Sequence, residues 1–287
     1  MRFWPDWESD GISGSPPGEG WLPLFHIVVI ALVQGITEFL PVSASGEMAP
    51  LLAGWPGQGP GIGLATDIGA VFAAVAYFWR DCARITIGFG RLIAGRLDSN
   101  ARLARSVLLA ALPALAIGCV LPYALGDGIG SIRLTAWMMI GFALVLYAAD
   151  RFGGRLRQLD QLTAGQALVI GIAQSLAFLP GTGRAGLALA AARLQGVERR
   201  EAVRLSVLLS IPASLAAGLV QGAGAWRSAT LEPLADLALI AGLSALAGFL
   251  AIAFLMRWVG GRSLTVFVAY RLLFGAVLLY LIYVRGF

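Results

Sequence analysis

Val-Gln-Gly-Ile-Thr-Glu-Phe-Leu-Pro-Val-Ser-Ala-Ser-Gly-Glu, residues 33–47, returns in altered form as Ala-Gln-Ser-Leu-Ala-Phe-Leu-Pro-Gly-Thr-Gly-Arg-Ala-Gly, residues 173–186. Gln34 to Gly46 and Gln174 to Gly186 have equal length, with Phe-Leu-Pro displaced by one residue. One copy carries acids and the other an arginine. Apolar segments interrupted by Pro and Gly at corresponding places in two halves of a chain mark broken helices that meet at a binding site inside a membrane. The site should therefore draw on both copies.

The surrounding composition supports a bilayer setting. The chain is 58% hydrophobic and only 13% charged, against a charged share of about 25% in soluble domains. Six uninterrupted apolar runs, at 62–79, 106–125, 133–149, 202–221, 235–256 and 263–284, approach the roughly 20 residues that cross about 30 Å of hydrocarbon. The stretches 22–52 and 164–190 hold the repeated motif and break at their middles. Irregular backbone at membrane depth survives only where protein or a water-filled cavity satisfies it. The expected fold is an all-α polytopic membrane protein: six transmembrane helices plus two re-entrant helix pairs in an inverted repeat. Its halves would be about 22–160 and 161–287 of one integral-membrane domain, behind a disordered acidic leader, residues 1–21.

Charge distribution argues against nucleic acid as the partner of this +5 chain. If both broken segments fold back, most arginines outside the spans fall on one side, from Arg80 to Arg105, Arg151 to Arg157, Arg193 to Arg204, and Arg257 and Arg262, while Arg2, Arg133, Arg227 and Arg285 fall on the other. The basic side is then cytoplasmic and both termini face outward. Trp21, Trp55, Trp79, Trp137, Trp226 and Trp258 lie near span ends, as an aromatic belt would. Cys82 and Cys119 are too far apart in the chain to suggest a disulfide framework or a metal motif. Ser106 to Pro113 and Ser206 to Pro212 echo one another, each after a basic residue and before small residues. Helix packing accounts for that echo without chemistry.

Glu38, Glu47, Asp67, Arg184 and Arg271 fall within the membrane region. At roughly 2.5–3.5 kcal/mol for a charge at a helix centre, leaving all five unpaired would cost about 12 kcal/mol or more. They must pair, bind ions or line water. Gln34 and Glu38 share a helix face just before Pro41; a plain polar pair at a helix end is the competing reading. Ser43, Ser45 and Gly46 follow in a loop whose backbone N–H groups can meet an oxyanion. Gly181, Thr182 and Gly183 precede Arg184 at the start of a helix, and a helix N-terminus with a guanidinium suits an anion; a structural ion pair of Arg184 with Glu38 or Glu47 is the alternative. Acids facing an arginine suit an anionic substrate partly matched by a divalent cation, with Glu38 and Glu47 as ligands of Mg²⁺.

Those two motifs, with Gly69 to Arg80, Ser206 to Pro212 and Tyr270-Arg271, resemble the bacterial undecaprenyl-diphosphate phosphatase family, the bacitracin-resistance proteins. The resemblance implies a multi-pass enzyme of the bacterial inner membrane that removes the terminal phosphate of a polyprenyl diphosphate on the periplasmic side. That step recycles the lipid carrier of peptidoglycan synthesis. A homodimer is an assembly it leaves open. Gln34 and Glu38 match the family's acidic motif, and Arg184 its diphosphate-binding arginine.

This chain departs from the family's Ser-Ser-Ser/Thr-Gly-His and Pro-Gly-x-Ser-Arg-Ser-Gly patterns. The hydroxyl implicated as nucleophile is Ala44, the usual histidine is Glu47, and Gly183 and Ala185 flank the arginine in place of serines. A serine nucleophile with a histidine base is unavailable at those positions. One reading keeps phosphohydrolysis. In it Arg184, Gln34, Arg271, Gly46, Gly181, Thr182 and Gly183 bind the diphosphate, Glu38 and Glu47 hold the metal or act as base, and water, Ser45 or Ser43 attacks. The other reading is an impaired family member that translocates a polyprenyl phosphate or a small anion.

Overall fold

The computed structural model describes residues 24–44, 60–125, 131–154, 157–228 and 233–284. They form ten principal α-helices: α1 Leu24–Phe39, α2 Pro60–Tyr77, α3 Trp79–Ile93, α4 Ser99–Leu125, α5 Ile132–Phe152, α6 Ala164–Ser175, α7 Arg184–Leu194, α8 Arg199–Ser228, α9 Leu234–Trp258 and α10 Thr265–Val284. The acidic leader lies outside the described residues.

Five helices are long and apolar enough to cross a bilayer: α4, α5, α8, α9 and α10. They correspond to five of the six expected spans. The sixth, residues 62–79, is not one straight rod. α2 carries it to Tyr77, and the chain then bends by 89° into α3. The bend coincides with a change in pattern, because Trp79, Arg80, Asp81 and Arg84 replace the apolar run. Such residues belong at the interface rather than in hydrocarbon.

Helix directions follow from where the small residues touch. A Cβ on Gly35 would meet Ser244 of α9, one on Gly69 would meet Ala241 and Ser244, and one on Gly248 would meet Phe39 and Ala73. α1, α2 and α9 therefore run parallel, packed through small residues that let the backbones approach. α1 stops beside Gly248, while α9 continues to Trp258. On the other side, a Cβ on Gly171 of α6 would meet Ala110 and Pro113 of α4. Pro113 is thus a packing residue, as the sequence echo suggests.

One end of the bundle is joined by a network of basic residues. Arg204 pairs with Asp81 and with Glu201, Arg84 donates to Asn100, Arg105 donates to the Leu162 carbonyl, and Ser99 donates to Asp160. Arg193, fully buried, donates to carbonyls of Asp150, Gly153, Gly154 and Val197. Asp150 in turn accepts from Arg199 and from the Leu264 backbone N–H. These contacts gather the end of α2 with the starts of α4, α6, α8 and α10 and the ends of α5 and α7. α6 leaves this basic end and α7 returns to it, a re-entrant pair. α1 approaches the same depth from the opposite end, so the two interrupted segments enter in opposite senses. The returning limb of the first lies outside the described residues.

Candidate active site

Each entering limb stops because its sequence stops being helical. After α1, Leu40, Pro41 and Val42 bend away before Ser43. After α6, a short 3₁₀ turn over Leu176–Phe178 leads to Leu179, Pro180 and Gly181. Gly181 and Gly183 adopt φ of 88° and 78°, a region open to glycine and costly for other residues. Both positions are also crowded. A Cβ on Gly181 would sit 2.2 Å from the Thr135 carbonyl oxygen, and one on Gly183 would sit 2.3 Å from that of Val42. The second contact is direct apposition of the two breaks, since Val42 belongs to the first and Gly183 to the second.

At this meeting point an Arg184 Nη2 lies 3.4 Å from Glu38 Oε1, with the Arg184 side chain 29% exposed and that of Glu38 11% exposed. The acid of one motif thus faces the arginine of the other. At 3.4 Å the contact is an ion pair with loose geometry, and guanidinium has five N–H donors in all, so Arg184 retains capacity for a ligand. Arg184 is also the first residue of α7, with Gly183 at its N-cap and no side-chain cap. The first N–H groups of any α-helix lack helical acceptors. Here they lie beside the guanidinium, which makes a cradle for phosphate oxygens.

Arg271, expected among the substrate-binding groups, has a different set of contacts. It is 1% exposed, and its guanidinium donates to the carbonyls of Met139 at 3.3 Å, Val42 at 3.2 Å and Gly181 at 2.8 Å. Val42 and Gly181 are the two breaks, so a single residue of α10 holds both. A buried cation normally demands a counter-charge; here main-chain dipoles released by the broken helices supply part of it. These contacts make Arg271 a positioning residue.

Thr182, expected in the same group, has its hydroxyl engaged within the loop. Its hydroxyl donates to the Leu176 and Leu179 carbonyls, at 3.2 and 2.8 Å, and the residue is 1% exposed. It fastens the break rather than offering a free hydroxyl. Ser43 is fully enclosed, at 0% exposure, and an enclosed hydroxyl is poorly placed to attack a lipid phosphate. Gln34 is half-buried on α1. Ser45, Gly46 and Glu47 lie outside the described residues, as does any metal contact of Glu47.

Asp67 joins this region from α2. It is 7% exposed and accepts from Gln221 Nε2 of α8 at 2.7 Å. It lies within the electrostatic reach of both Arg184 and Glu38, with Ser214 beside it. The sequence marks Asp67 as an intramembrane charge but does not indicate Gln221, which sits among small residues near the end of a span. Buried Thr37 Oγ1, Glu38 Oε1 and Gln174 Oε1 have no hydrogen-bond partner among the described residues. Buried polar atoms are rarely left so, and Thr37, Glu38 and Gln174 sit on the two limbs that enter the breaks. Water, or a ligand group that donates hydrogen bonds, would satisfy such acceptors. Among the described residues no group of three or more His, Cys, Asp and Glu could hold a metal ion. The carboxylate at the junction of the breaks is that of Glu38, whose Oε1 has an ion pair with Arg184 but no hydrogen bond.

Gly183→Ala should test the apposition of the breaks. The added methyl meets the Val42 carbonyl and forces an unfavourable φ, costing about 1–2 kcal/mol in backbone energy alone. Because small displacements of reacting groups are costly, kcat is expected to fall by roughly 100-fold. Wild-type kcat for this variant would refute the contact.

Known proteins are similar to this chain over most of its length. A family model described as "Bacitracin resistance protein BacA" matches residues 27–277. An "Undecaprenyl-diphosphatase" of Roseobacter denitrificans is 39% identical over 262 residues, covering 90% of this chain and 98% of the relative. "Undecaprenyl-diphosphatase 1" of Rhodospirillum rubrum is 42% identical over 273 residues, covering 91% and 95%. An "Undecaprenyl-diphosphatase" of Desulforudis audaxviator is 38% identical over 272 residues, covering 91% and 99%.

Proposed function

Because this chain belongs to the BacA bacitracin-resistance family, we propose that it hydrolyses undecaprenyl diphosphate, or a related polyprenyl diphosphate, to the monophosphate and inorganic phosphate. The observation that carries the reading is the Glu38–Arg184 pair, built from two breaks that enter from opposite ends. A protein with multiple apolar spans and a mid-membrane anion cradle suits a substrate that is a charged headgroup on a lipid tail. The tail can stay in hydrocarbon while the diphosphate reaches the charged groups.

Arg184 and the first N–H groups of α7 bind the terminal phosphate and offset the charge that builds on its oxygens during displacement. Glu38, across the ion pair, accepts a proton from the attacking water. Water adds to phosphorus, the bond from phosphorus to the bridging oxygen breaks, and the lipid monophosphate leaves with that oxygen. Arg271 and Thr182 keep the two breaks in register. Asp67, fixed by Gln221, adds a second negative charge near Arg184 and so restrains the guanidinium from folding entirely onto Glu38.

Two acids and one available arginine do not match a diphosphate unaided. The Glu38 carboxylate, tied to Arg184 only by a loose ion pair, and that of Glu47 would hold Mg²⁺. When bound, that ion neutralises charge on the diphosphate. In the bacterial inner membrane that the family reading implies, the positive-inside rule favours the basic end of the bundle facing the cytoplasm and both termini facing the periplasm.

Purified protein should release phosphate from undecaprenyl diphosphate, and chelation of divalent cations should lower the rate at least tenfold. Absence of release with Mg²⁺ present, from protein that still binds the lipid, would favour a translocator instead. Arg184→Lys should raise KM by about 10- to 100-fold, because an ammonium cannot reproduce bidentate contact. An unchanged KM would remove the arginine from the cradle.

A further inference from the structure

We propose that α3 is a shelf for anionic phospholipid headgroups, holding the basic end of the bundle against the membrane surface. α2 crosses toward that end and α3 leaves it at 89°, so α3 runs along the surface rather than through the bilayer. Its residues sort onto distinct faces at helical spacing. Asp81, Ile85, Gly88 and Leu92 face the protein: Asp81 pairs with Arg204, Ile85 packs on the core, and a Cβ on Gly88 would lie 2.1 Å from the Asn100 carbonyl oxygen. That side is closed by α4.

The opposite side carries Trp79, Ala83, Ile87, Gly90 and Ile93, with Leu97 following the helix. Trp79 is 59% exposed, Ile87 51%, Ile93 76% and Leu97 60%. Arg80, Arg84 and Arg91 form the adjoining stripe. Arg80 stacks over the Trp79 ring at 5.2 Å, Arg91 pairs with Asp98 while remaining 46% exposed, and Arg84 turns inward to Asn100. Arg96 is exposed just beyond.

A surface-lying helix with an apolar face, a closed protein face and an arginine stripe between them has the form of an interfacial anchor. The basic stripe selects the occupant, because anionic headgroups concentrate near clustered Arg. A second marker lies at the same end of the bundle. α9 runs beside α2, with Tyr77 and Phe249 rings 5.5 Å apart, and ends at Trp258, whose ring carries Arg262 at 4.6 Å. Trp258, half-buried, thus adds a second Trp–Arg stack at the basic end of the bundle, where interface residues gather.

The test uses the full chain with Cys82→Ser and Cys119→Ser, carrying Ile87→Cys or, separately, Ile93→Cys, each labelled with a bimane fluorophore. The protein is placed in vesicles of phosphatidylcholine mixed with phosphatidylglycerol, with bromine on the chains of one lipid or the other. Retained phosphate release certifies folding in each case. Both positions should be quenched, and brominated phosphatidylglycerol should quench about twofold more than brominated phosphatidylcholine at equal mole fraction. Arg80→Gln with Arg91→Gln should remove that preference and leave the quenching itself. Equal quenching by both lipids in the starting chain, or none by either, overturns the proposal. So does energy transfer between labelled copies that rises with protein density, which would identify the covering partner as a second chain.

Discussion

Glu38→Gln should reduce phosphate release from undecaprenyl diphosphate by about 10²- to 10⁴-fold, the range that general acid–base groups contribute. The substitution keeps the shape of the side chain and removes both its charge and its capacity to accept a proton. Its position makes the effect specific. Glu38 is 11% exposed at the side chain and directed at Arg184, so the variant also frees the guanidinium of its partner. Affinity for the diphosphate should therefore hold or tighten while kcat collapses. Full activity in this variant would remove Glu38 from the chemistry, and a rise in KM with unchanged kcat would recast it as a binding group. If Glu38 also holds the divalent cation, the concentration of Mg²⁺ giving half-maximal activity will shift upward in whatever activity remains.

Arg271→Met should affect fold and activity together. Three carbonyls, from Met139, Val42 and Gly181, lose their donor in a site that is 1% exposed. Each buried unsatisfied group costs about 1–3 kcal/mol, so the loss is roughly 3 kcal/mol or more. The thermal midpoint in detergent should fall by about 6 °C or more. The more informative readout is kinetic. Because Arg271 is hydrogen-bonded to both breaks, surviving protein should lose kcat with little change in KM, the reverse of Arg184→Lys. Arg271→Lys should fall between, since one ammonium cannot span three separate carbonyls. A KM that rises with kcat preserved would return Arg271 to the diphosphate.

The departures from the usual motifs gain meaning from this geometry. Gly183 stands where the family usually has a serine, and its absent side chain is what allows the Val42 carbonyl to approach. The second break in this chain is closed by Thr182, whose hydroxyl is committed to Leu176 and Leu179. With hydroxyls missing or occupied there, carboxylate chemistry at the first motif has more to do. That makes Glu38 the group on which the proposed reaction most depends.

Much of this was legible in the chain itself, because the bilayer enforces simple rules. An apolar run must be helical to satisfy its backbone, so the spans containing α4, α5, α8, α9 and α10 could be read from hydropathy. A charge in hydrocarbon must find a partner, so Glu38 and Arg184 could be paired before their separation was known. The Pro and Gly interruptions located both breaks for the same reason. The 89° turn into α3 was not legible, since Pro60–Tyr77 and Trp79–Ile93 are contiguous and no proline marks the join. Nor were the roles of Arg271, Thr182 and Gln221. Each depends on which carbonyl or carboxylate a different helix brings within about 3 Å, and that is set by packing between residues as distant as Val42 and Arg271. Composition and pattern determined that the chain would cross a membrane and place opposite charges in two breaks; only the tertiary structure decided which of those charges meet and which one holds the breaks together, because that depends on contacts between helices distant in the chain.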